Sequence, residues 1–341
     1  MSRHAKGHHG IGGWLATGAV LLTVSTGVLP PAAMGAVSAP DQTSAAVSQQ
    51  QAHVVRETWI DERTVDLVIH SPALGAEAPV RLLVPEGWSR ESARTWPVLY
   101  LLHGCCEPLD YRSWTELGNA APFLADKDVL TVMPSGGPAG FYTKWWNYGR
   151  PGGPDWEAFH LDELRGILER DYGAGTRRAV AGLSIGGYGA MSYAERRPGM
   201  FAAAASYSGM LHTQQPSVPE LVFGMLNRVG EDPMRMWGDP RMQVELWSER
   251  NPYEHTETLR GTSLYISSGN GFPGPLDPPG SFGDLLEPAA QAVSRAFTDR
   301  LRQQGIEVAT NFYGNGTHSW PYWERELQTS WPVLAAGLGI S

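Results

Sequence analysis

VAGLSIGGYGAM, residues 180–191, is the stretch of sequence that decides the fold. Its first residues favour a β-strand and its last residues favour a helix, with Ser184 at the turn between them. Ser184 stands between Gly182 and Gly186, which gives the pattern G-x-S-x-G. Side chains at the two glycine positions would clash with the neighbouring strand and helix, and the serine needs a strained backbone to project its hydroxyl. The stretch therefore predicts a nucleophilic serine at a strand-to-helix elbow.

The same pentapeptide can also arise by chance, because the chain has 40 glycines among 341 residues. Context decides between the two interpretations, since an α/β-hydrolase requires an oxyanion loop, Ser, acid and His in that chain order. An apolar run at 97–102 ends in HGCC (103–106), the expected place for the oxyanion loop. A strand predicted at 306–313 leads into a loop with His318. Between Ser184 and His318, an acidic loop offers three candidates for the triad acid: Asp277, Asp284 and Glu287.

The charge and length of the chain narrow the classes of protein. With 35 acidic and 26 basic residues the net charge is −9, which argues against a nucleic-acid-binding protein. A length of 341 residues allows one large core. The 13 tryptophans fit two interpretations equally, a packed core or a cleft for lipid or sugar. We expect no metal and no cofactor, because the sequence shows no pattern of metal ligands.

The first 36 residues have the features of a signal peptide. The start is basic, 13–29 is apolar but short and interrupted for a membrane span, and 30–36 offers small residues for cleavage. A retained membrane anchor is the alternative. Residues 37–53, rich in Ser, Gln and Ala, are predicted to be a disordered spacer before a single domain at 54–341. The predicted location is therefore secreted, either extracellular or in the cell envelope.

The two cysteines of the chain, Cys105 and Cys106, are adjacent. Disulfide-bonded residues ordinarily have Cα atoms at least about 4.4 Å apart, whereas neighbours across a trans peptide are about 3.8 Å apart. The pair is thus expected to be either two free thiols or a vicinal disulfide. A zinc site is not expected, because no Cys or His partner pattern accompanies the pair.

Alternation along the chain predicts the layout of the domain. Residues 56–70 alternate at period two and, with 79–84, predict an antiparallel hairpin at the sheet edge. From Trp96 onward, apolar strands alternate with helical stretches, which predicts an α/β-hydrolase fold with a mostly parallel central sheet and helices on both faces. The Met- and Trp-rich region 209–260 is either a cap or acyl-chain wall at the site or a set of packing helices. Strands are predicted at 97–102, 129–133, 178–183, 201–207, 262–268 and 306–313, and helices at 114–125, 155–171, 186–197, 287–304 and 321–337.

Several segments between about residues 79 and 338 resemble the antigen 85 mycolyltransferase family and the related esterase D-like hydrolases. They are LYLLHG (99–104), VMP (132–134) with GFYTKW (140–145), WEAF (156–159), MWG (236–238) and GTHSWPYW (316–323). The chain departs from the family's mycolyltransferases at His103 and Cys106. Those enzymes carry Asp and Arg there, in contact with the trehalose acceptor. The resemblance thus implies the fold and leaves the acceptor open.

The same resemblance implies roles for individual residues. Ser184 falls on the family nucleophile and His318 on its general base. Glu287 falls on the family acid, counted from a Gly-Asn-Gly turn. The remaining implied roles are oxyanion donation by the backbone N–H groups of Cys105 and Ile185, and substrate binding by His103, Cys106 and Trp320.

Three functions are compatible with these residues. The first is a secreted serine esterase that hydrolyses carboxylic esters through an acyl-enzyme. The second is a cell-envelope acyltransferase, of the mycolyltransferase or diacylglycerol acyltransferase type, that uses a sugar or glycerol hydroxyl as acceptor. The third is a catalytically silent binding protein of the same fold, which an intact triad disfavours. The expected partners are a small-molecule or lipid ester, a sugar acceptor for the second function, and the cell envelope as a peripheral contact.

Overall fold

A computed structural model describes residues 51–340, which form one nine-stranded sheet in the order β1-β2-β3-β5-β4-β6-β7-β8-β9. β1, β2 and β3 pair antiparallel, and β3 also runs antiparallel to β5. The strands from β5 across to β9 are parallel neighbours. The predicted edge hairpin and mostly parallel sheet are therefore confirmed. The strands are β1 His53–Trp59, β2 Thr64–Ser71, β3 Ala76–Leu83, β4 Trp96–Leu102, β5 Leu130–Pro134, β6 Ala174–Leu183, β7 Ala203–Tyr207, β8 Ser263–Ser268 and β9 Ala309–Phe312.

The predicted signal peptide, 1–36, lies outside the described residues, as does the predicted spacer up to residue 50. Both stay predictions. Between residues 51 and 340, no helix is both long enough and apolar enough to cross a membrane.

β9 is shorter than the strand predicted at 306–313. The Ile306 backbone N–H donates to the Leu301 carbonyl, which keeps this residue at the end of the preceding helix. Pairing with β8 then begins at Ala309, opposite Tyr265. The apolar run before Ala309 is therefore helix end and loop rather than strand.

Helices alternate with the parallel strands. Those predicted at 186–197, 287–304 and 321–337 are confirmed within one residue at each end. The helix predicted at 155–171 is interrupted by a π-helical turn, Phe159–Leu164, which joins α3 to α4. The helices are α1 Ser113–Glu116, α2 Ala120–Phe123, α3 Trp156–Ala158, α4 Arg165–Asp171, α5 Ile185–Arg196, α6 Val218–Arg228, α7 Pro233–Met236, α8 Val244–Glu249, α9 Leu286–Gln303 and α10 Trp320–Leu338.

The single helix predicted at 114–125 is wrong, because α1 and α2 separate at Gly118 and Asn119. A Cβ on Gly118 would lie 2.7 Å from the Trp320 ring and 2.8 Å from the Trp114 ring, so the chain must turn where Trp320 packs. Asn119 has a left-handed φ of 51°, which a continuous helix does not allow. Helix propensity carries no information about a tryptophan so distant in sequence.

The sheet separates two cores, one on each face. Along β4, Val98, Tyr100 and Leu102 belong to one core, whereas Leu99 and Leu101 belong to the other. This alternation follows from the period of two in a strand. α5 covers the first core and α10 covers the second, so the prediction of helices on both faces is confirmed.

The region 209–260 packs onto the first core, so the interpretation as packing helices is confirmed for its buried part. Gly224 and Arg228 of α6 are nevertheless exposed, on a face that forms one wall of a cavity. The side chains buried in the core include Met236, Trp237 and Trp247.

Candidate active site

Ser184 lies at the apex of the turn between β6 and α5, with φ 53° and ψ −121°. Such a backbone conformation costs about 1 to 3 kcal/mol and persists only where the surrounding structure enforces it. Two glycines make the turn possible. A Cβ on Gly182 would lie 2.2 Å from the Gly186 carbonyl oxygen, and a Cβ on Gly186 would lie 2.4 Å from the Leu102 carbonyl oxygen. The predicted strand-to-helix elbow is therefore confirmed.

His318 lies in the loop between β9 and α10. Its Nδ1 is 2.7 Å from Oε2 of Glu287, and its ring packs edge-on against Trp323 with centroids 4.9 Å apart. Because the carboxylate accepts from Nδ1–H, the neutral ring leaves Nε2 free to accept a proton. Ser184 and His318 line the same cavity. The cavity wall thus contains a hydroxyl and an imidazole, and the imidazole is paired with a carboxylate from the helix Leu286–Gln303.

Glu287 is the acid that the structure brings to the His318 ring. It is fully buried in the first turn of α9, where the helix dipole favours a negative charge. Its Oε1 accepts from the Ser208 hydroxyl at 2.8 Å and from the Gly269 N–H at 2.6 Å. These bonds hold the carboxylate so that Oε2 faces His318.

The other two candidate acids hold the loops in place. Asp284 accepts from the backbone N–H groups of Glu287 at 2.7 Å and of His318 at 2.9 Å. Asp277 accepts from the Gly274 N–H at 2.7 Å and from the Tyr322 hydroxyl at 2.7 Å. Of the three acids left open by loop position, Glu287 is the one whose carboxylate has a hydrogen bond with the His318 ring in the described chain.

The turn after β4 brings the Cys105 amide beside the elbow. A Cβ on Gly104 would lie 2.6 Å from the Leu183 side chain and 3.5 Å from Cβ of Ser184. Within the described chain, the backbone N–H groups of Cys105 and Ile185 have no hydrogen-bond acceptor. Ile185 opens α5, and the first amides of a helix are suited to an anion.

Cys105 and Cys106 form a disulfide. Of the two alternatives left open by the sequence, the structure contains the vicinal bond. Both cysteines line the cavity that Ser184 also lines.

His103 does not line the cavity, so the prediction that its side chain binds substrate is wrong. The ring is 2% exposed, and its Nε2 is 2.6 Å from Oδ1 of Asp110 while Nδ1 is 2.7 Å from the Gly104 carbonyl. Both nitrogens therefore face acceptors, which suits an imidazolium. The Gly136 N–H lies 2.9 Å from Nε2 and 3.2 Å from Asp110 Oδ1, and beside an imidazolium only the carboxylate can accept from it.

Electrostatics in this pair agree with the geometry. Burial works against a charged ring, but the Asp110 carboxylate and the hydrogen bonds outweigh it and raise the pKa of His103. Burial likewise works against the Asp110 carboxylate, and the His103 charge outweighs it and lowers the pKa of Asp110. The pair thus ties the turn after β4, residues 103–106, to the short helical turn that begins at Asp110.

Trp320 is partly buried and is not among the residues that line the cavity, so the structure gives no support to its predicted role in substrate binding. Its Nε1 donates to Oε1 of Glu107 at 2.7 Å, and its ring packs edge-on against Trp114 and Trp323. Because Glu107 and Trp323 both line the cavity, Trp320 shapes the wall without reaching the space inside.

The cavity over Ser184 has a volume of about 430 Å³. One wall is the exposed face of α6, which combines apolar side chains with Glu220 and Arg228 near the opening. A wall formed by region 209–260 is one of the two interpretations that the sequence left open, and the Met225 side chain belongs to it. The sequence did not single out α6 itself, because this helix carries no motif and reaches the site only through the fold. Trp323 had a signal in its place in GTHSWPYW. The lining residues that the sequence did not single out include Glu107, Leu221, Leu286 and Trp323.

A larger surface groove, of about 1160 Å³, lies at the end of the sheet where the parallel strands β8 and β9 begin. It is lined by the first residues of β8 and β9, Ser263 and Ala309, whereas the elbow follows the last residue of β6. No serine–histidine–acid set lies among its lining residues in the described chain. The same range, 51–340, contains no cluster of three or more side chains suited to bind a metal.

Comparison with known proteins identifies the family of this chain. Residues 71–333 match the Esterase family model. Esterase Rv1288 of Mycobacterium tuberculosis is 33% identical over 246 residues, which are 69% of this chain and 51% of that protein. The chain therefore spans about half the length of that relative. The diacylglycerol acyltransferase/mycolyltransferase Ag85B of Mycolicibacterium smegmatis is 32% identical over 286 residues, 80% of this chain and 85% of that one.

Among solved structures, the crystal structure of Mycobacterium tuberculosis MPT51 (FbpC1) superposes with a TM-score of 0.67 at 27% identity. The superposition covers 80% of this chain and 97% of that one. The α/β-hydrolase fold that the elbow predicted is therefore shared with a relative of known structure.

Proposed function

The chain belongs to the Esterase family, and from this premise we propose that it is a secreted serine esterase that hydrolyses carboxylic esters through an acyl-enzyme on Ser184. The family match and the acyltransferase relative support ester or acyl-transfer chemistry. The single observation that carries the proposal is the pairing of His318 with the buried Glu287 beside a cavity that Ser184 also lines.

In this mechanism, the Ser184 hydroxyl attacks the ester carbonyl while Nε2 of His318 takes its proton. Glu287 keeps the proton on Nδ1 and stabilises the imidazolium that forms. The N–H groups of Cys105 and Ile185 donate to the oxyanion, and each such donor contributes about 3 to 4 kcal/mol to the transition state. His318 then protonates the leaving alcohol, and water repeats the sequence on the acyl-enzyme.

Water is proposed as the acceptor because of the side chains at residues 103–106, the turn that carries the Cys105 amide, which we call the oxyanion turn. The mycolyltransferases that the sequence resembles carry a carboxylate and a guanidinium there. Here His103 points away from the cavity and Cys106 is held in a disulfide. Neither group offers the strong charge-assisted hydrogen bonds that orient a sugar hydroxyl.

A second candidate function is acyl transfer to a sugar or glycerol in the cell envelope, which the Ag85B likeness over 80% of the chain favours. Exposed Glu220 and Arg228 near the cavity opening are charged groups able to hold hydroxyls. The two functions share the acyl-enzyme and differ in the acceptor.

The first experiment follows p-nitrophenol release from p-nitrophenyl esters by stopped flow. We expect a burst in the wild type, its loss in Ser184→Ala, and its retention in the matched control Ser263→Ala, at the far end of the sheet. A wild type that releases no p-nitrophenol above the uncatalysed rate would favour the silent binding protein. Products are then measured with excess trehalose or glycerol present. Free acid as the main product supports hydrolysis, whereas an acylated acceptor as the main product supports the transferase.

Secretion is proposed from residues 1–36. N-terminal sequencing of the protein recovered from the culture medium should find a start near residue 37. A protein that keeps its first 36 residues and stays with the cells would contradict this part of the proposal.

A further inference from the structure

The Cys105–Cys106 disulfide lies in the cavity wall, on the turn that carries the Cys105 amide. A disulfide stabilises a fold mainly by closing a loop between residues far apart in the chain. A bond between neighbours closes no such loop, so its contribution to global stability is small. Its effect must be local.

The local effect falls on the backbone of Cys106. This residue has a φ of 68°, in the left-handed region that is disfavoured for any residue with a Cβ. The ring that the disulfide closes contains the bonds of ψ at Cys105 and φ at Cys106, so both angles are restricted. One backbone hydrogen bond, from the Cys106 N–H to the Pro138 carbonyl at 2.7 Å, holds the same residue.

The preceding half of the turn is fixed in another way. Gly104 packs tightly against Leu183, and His103 is paired with Asp110. The Cys105 amide therefore sits between a well-anchored segment and a residue whose conformation the disulfide helps to hold.

We propose that the Cys105–Cys106 disulfide positions the oxyanion turn, so that acyl transfer by this enzyme depends on the oxidised state of the pair. The inference rests on the proposed function, because the Cys105 amide matters only if Ser184 attacks an ester. Reduction by a dithiol transfers two electrons and two protons to the pair, which breaks the S–S bond, forms two thiols and closes the reductant to a cyclic disulfide. Cys106 is then free to leave the left-handed region.

We expect reduction to lower kcat about tenfold. A factor of this size corresponds to the ordinary preference of a residue with a Cβ against a left-handed φ. KM should change by less than about twofold, because an oxyanion donor acts on the transition state rather than on bound substrate. Reoxidation should restore kcat. The measurement is steady-state hydrolysis of a p-nitrophenyl ester before reduction, after dithiol treatment, and after reoxidation.

Two double variants separate the disulfide from the cysteines themselves. Cys105→Ala/Cys106→Ala removes the ring and keeps a Cβ at residue 106, so its kcat should match that of the reduced wild type. Cys105→Ala/Cys106→Gly also removes the ring, but glycine accepts a positive φ without cost. Its kcat should exceed that of the alanine pair by at least about fivefold. Neither variant should respond to dithiol, and thermal unfolding checks that both are folded.

Alkylation under native conditions, read by mass spectrometry, gives the state of the thiols. No modified cysteine is expected in the oxidised protein and two are expected after reduction. A reduced wild type with unchanged kcat would overturn the inference, as would a glycine variant no more active than the alanine variant. If the oxidised wild type itself lacks activity towards esters, the proposed function fails instead, which keeps the two failures apart.

Discussion

Replacing Asp110 by asparagine tests whether His103 is held as an imidazolium behind the oxyanion turn. The change keeps the shape of the side chain and removes the charge opposite Nε2, which lies 2.6 Å from Oδ1. Breaking a buried ion pair typically costs 3 to 5 kcal/mol. His103 is 2% exposed but the Asp110 side chain is 24% exposed, so we expect the free energy of unfolding to fall by about 2 to 3 kcal/mol near pH 6.

The pH dependence of this loss of stability follows from the directions of the two pKa shifts. His103 has a raised pKa, so its contribution is complete below the ordinary value of 6.5 and is lost as pH rises through the raised pKa. Asp110 has a lowered pKa, so its contribution is present above 3.8 and is lost as pH falls through the lowered pKa. The difference between wild type and Asp110→Asn should therefore be largest between those limits and shrink at more alkaline pH.

Urea unfolding, measured at several pH values from about 4.5 to 9.5, checks the prediction. Asp128→Asn is the matched control, because its pair with Arg94 lies on the surface with both side chains about half exposed. That control should change stability by less than about 1 kcal/mol. A cost for Asp110→Asn that is the same at every pH would refute the reasoning, since the neutral ring would then be the native form.

Three further predictions concern the cavity and the triad. Gly224 of α6 lines the cavity, and a Cβ there would meet nothing within 4 Å. The Gly224→Leu variant should therefore fold normally and lower kcat/KM for esters of long acyl chains by tenfold or more relative to short ones. The control is Gly166→Leu, at another helical glycine with open space around it, which should leave the chain-length preference unchanged. Glu287→Gln should lower kcat by about 10³ to 10⁴ with little change in KM, because the amide no longer favours Nδ1–H of His318; an effect below tenfold in steady-state kinetics would argue for another acid. Ser184→Ala and His318→Ala should each abolish ester hydrolysis, and the double variant should lose hardly more, since the triad acts as a unit; additive losses would mean that His318 only packs.

The sequence was sufficient where the cause of a structure is local. The elbow at Ser184 could be predicted because its G-x-S-x-G pattern is local: Gly182 faces the Gly186 carbonyl within the same turn, while Gly186 faces the Leu102 and His103 carbonyls at the end of β4. The long helices α9 and α10 were likewise predictable from periodicity. The triad acid was harder, because Asp277, Asp284 and Glu287 share one loop and only the tertiary position of His318 separates them.

Predictions failed where a contact with another element decides the outcome. The direction of the His103 side chain depends on Asp110, which arrives through a short helical turn that no motif marks. The break between α1 and α2 depends on Trp320, at the start of α10. In both cases the missing information is a contact between elements rather than a local preference.

The cavity wall on α6 has a consequence for how such an enzyme can diversify. Glu287 and Asp284 hold His318 through hydrogen bonds, while α6 contributes no hydrogen bond to that set within the described residues. Substitutions at exposed Gly224 can therefore accumulate without misaligning Glu287 or His318. Evolution, or a directed library confined to this one helix, is free to explore new ester shapes while the reaction itself is inherited intact.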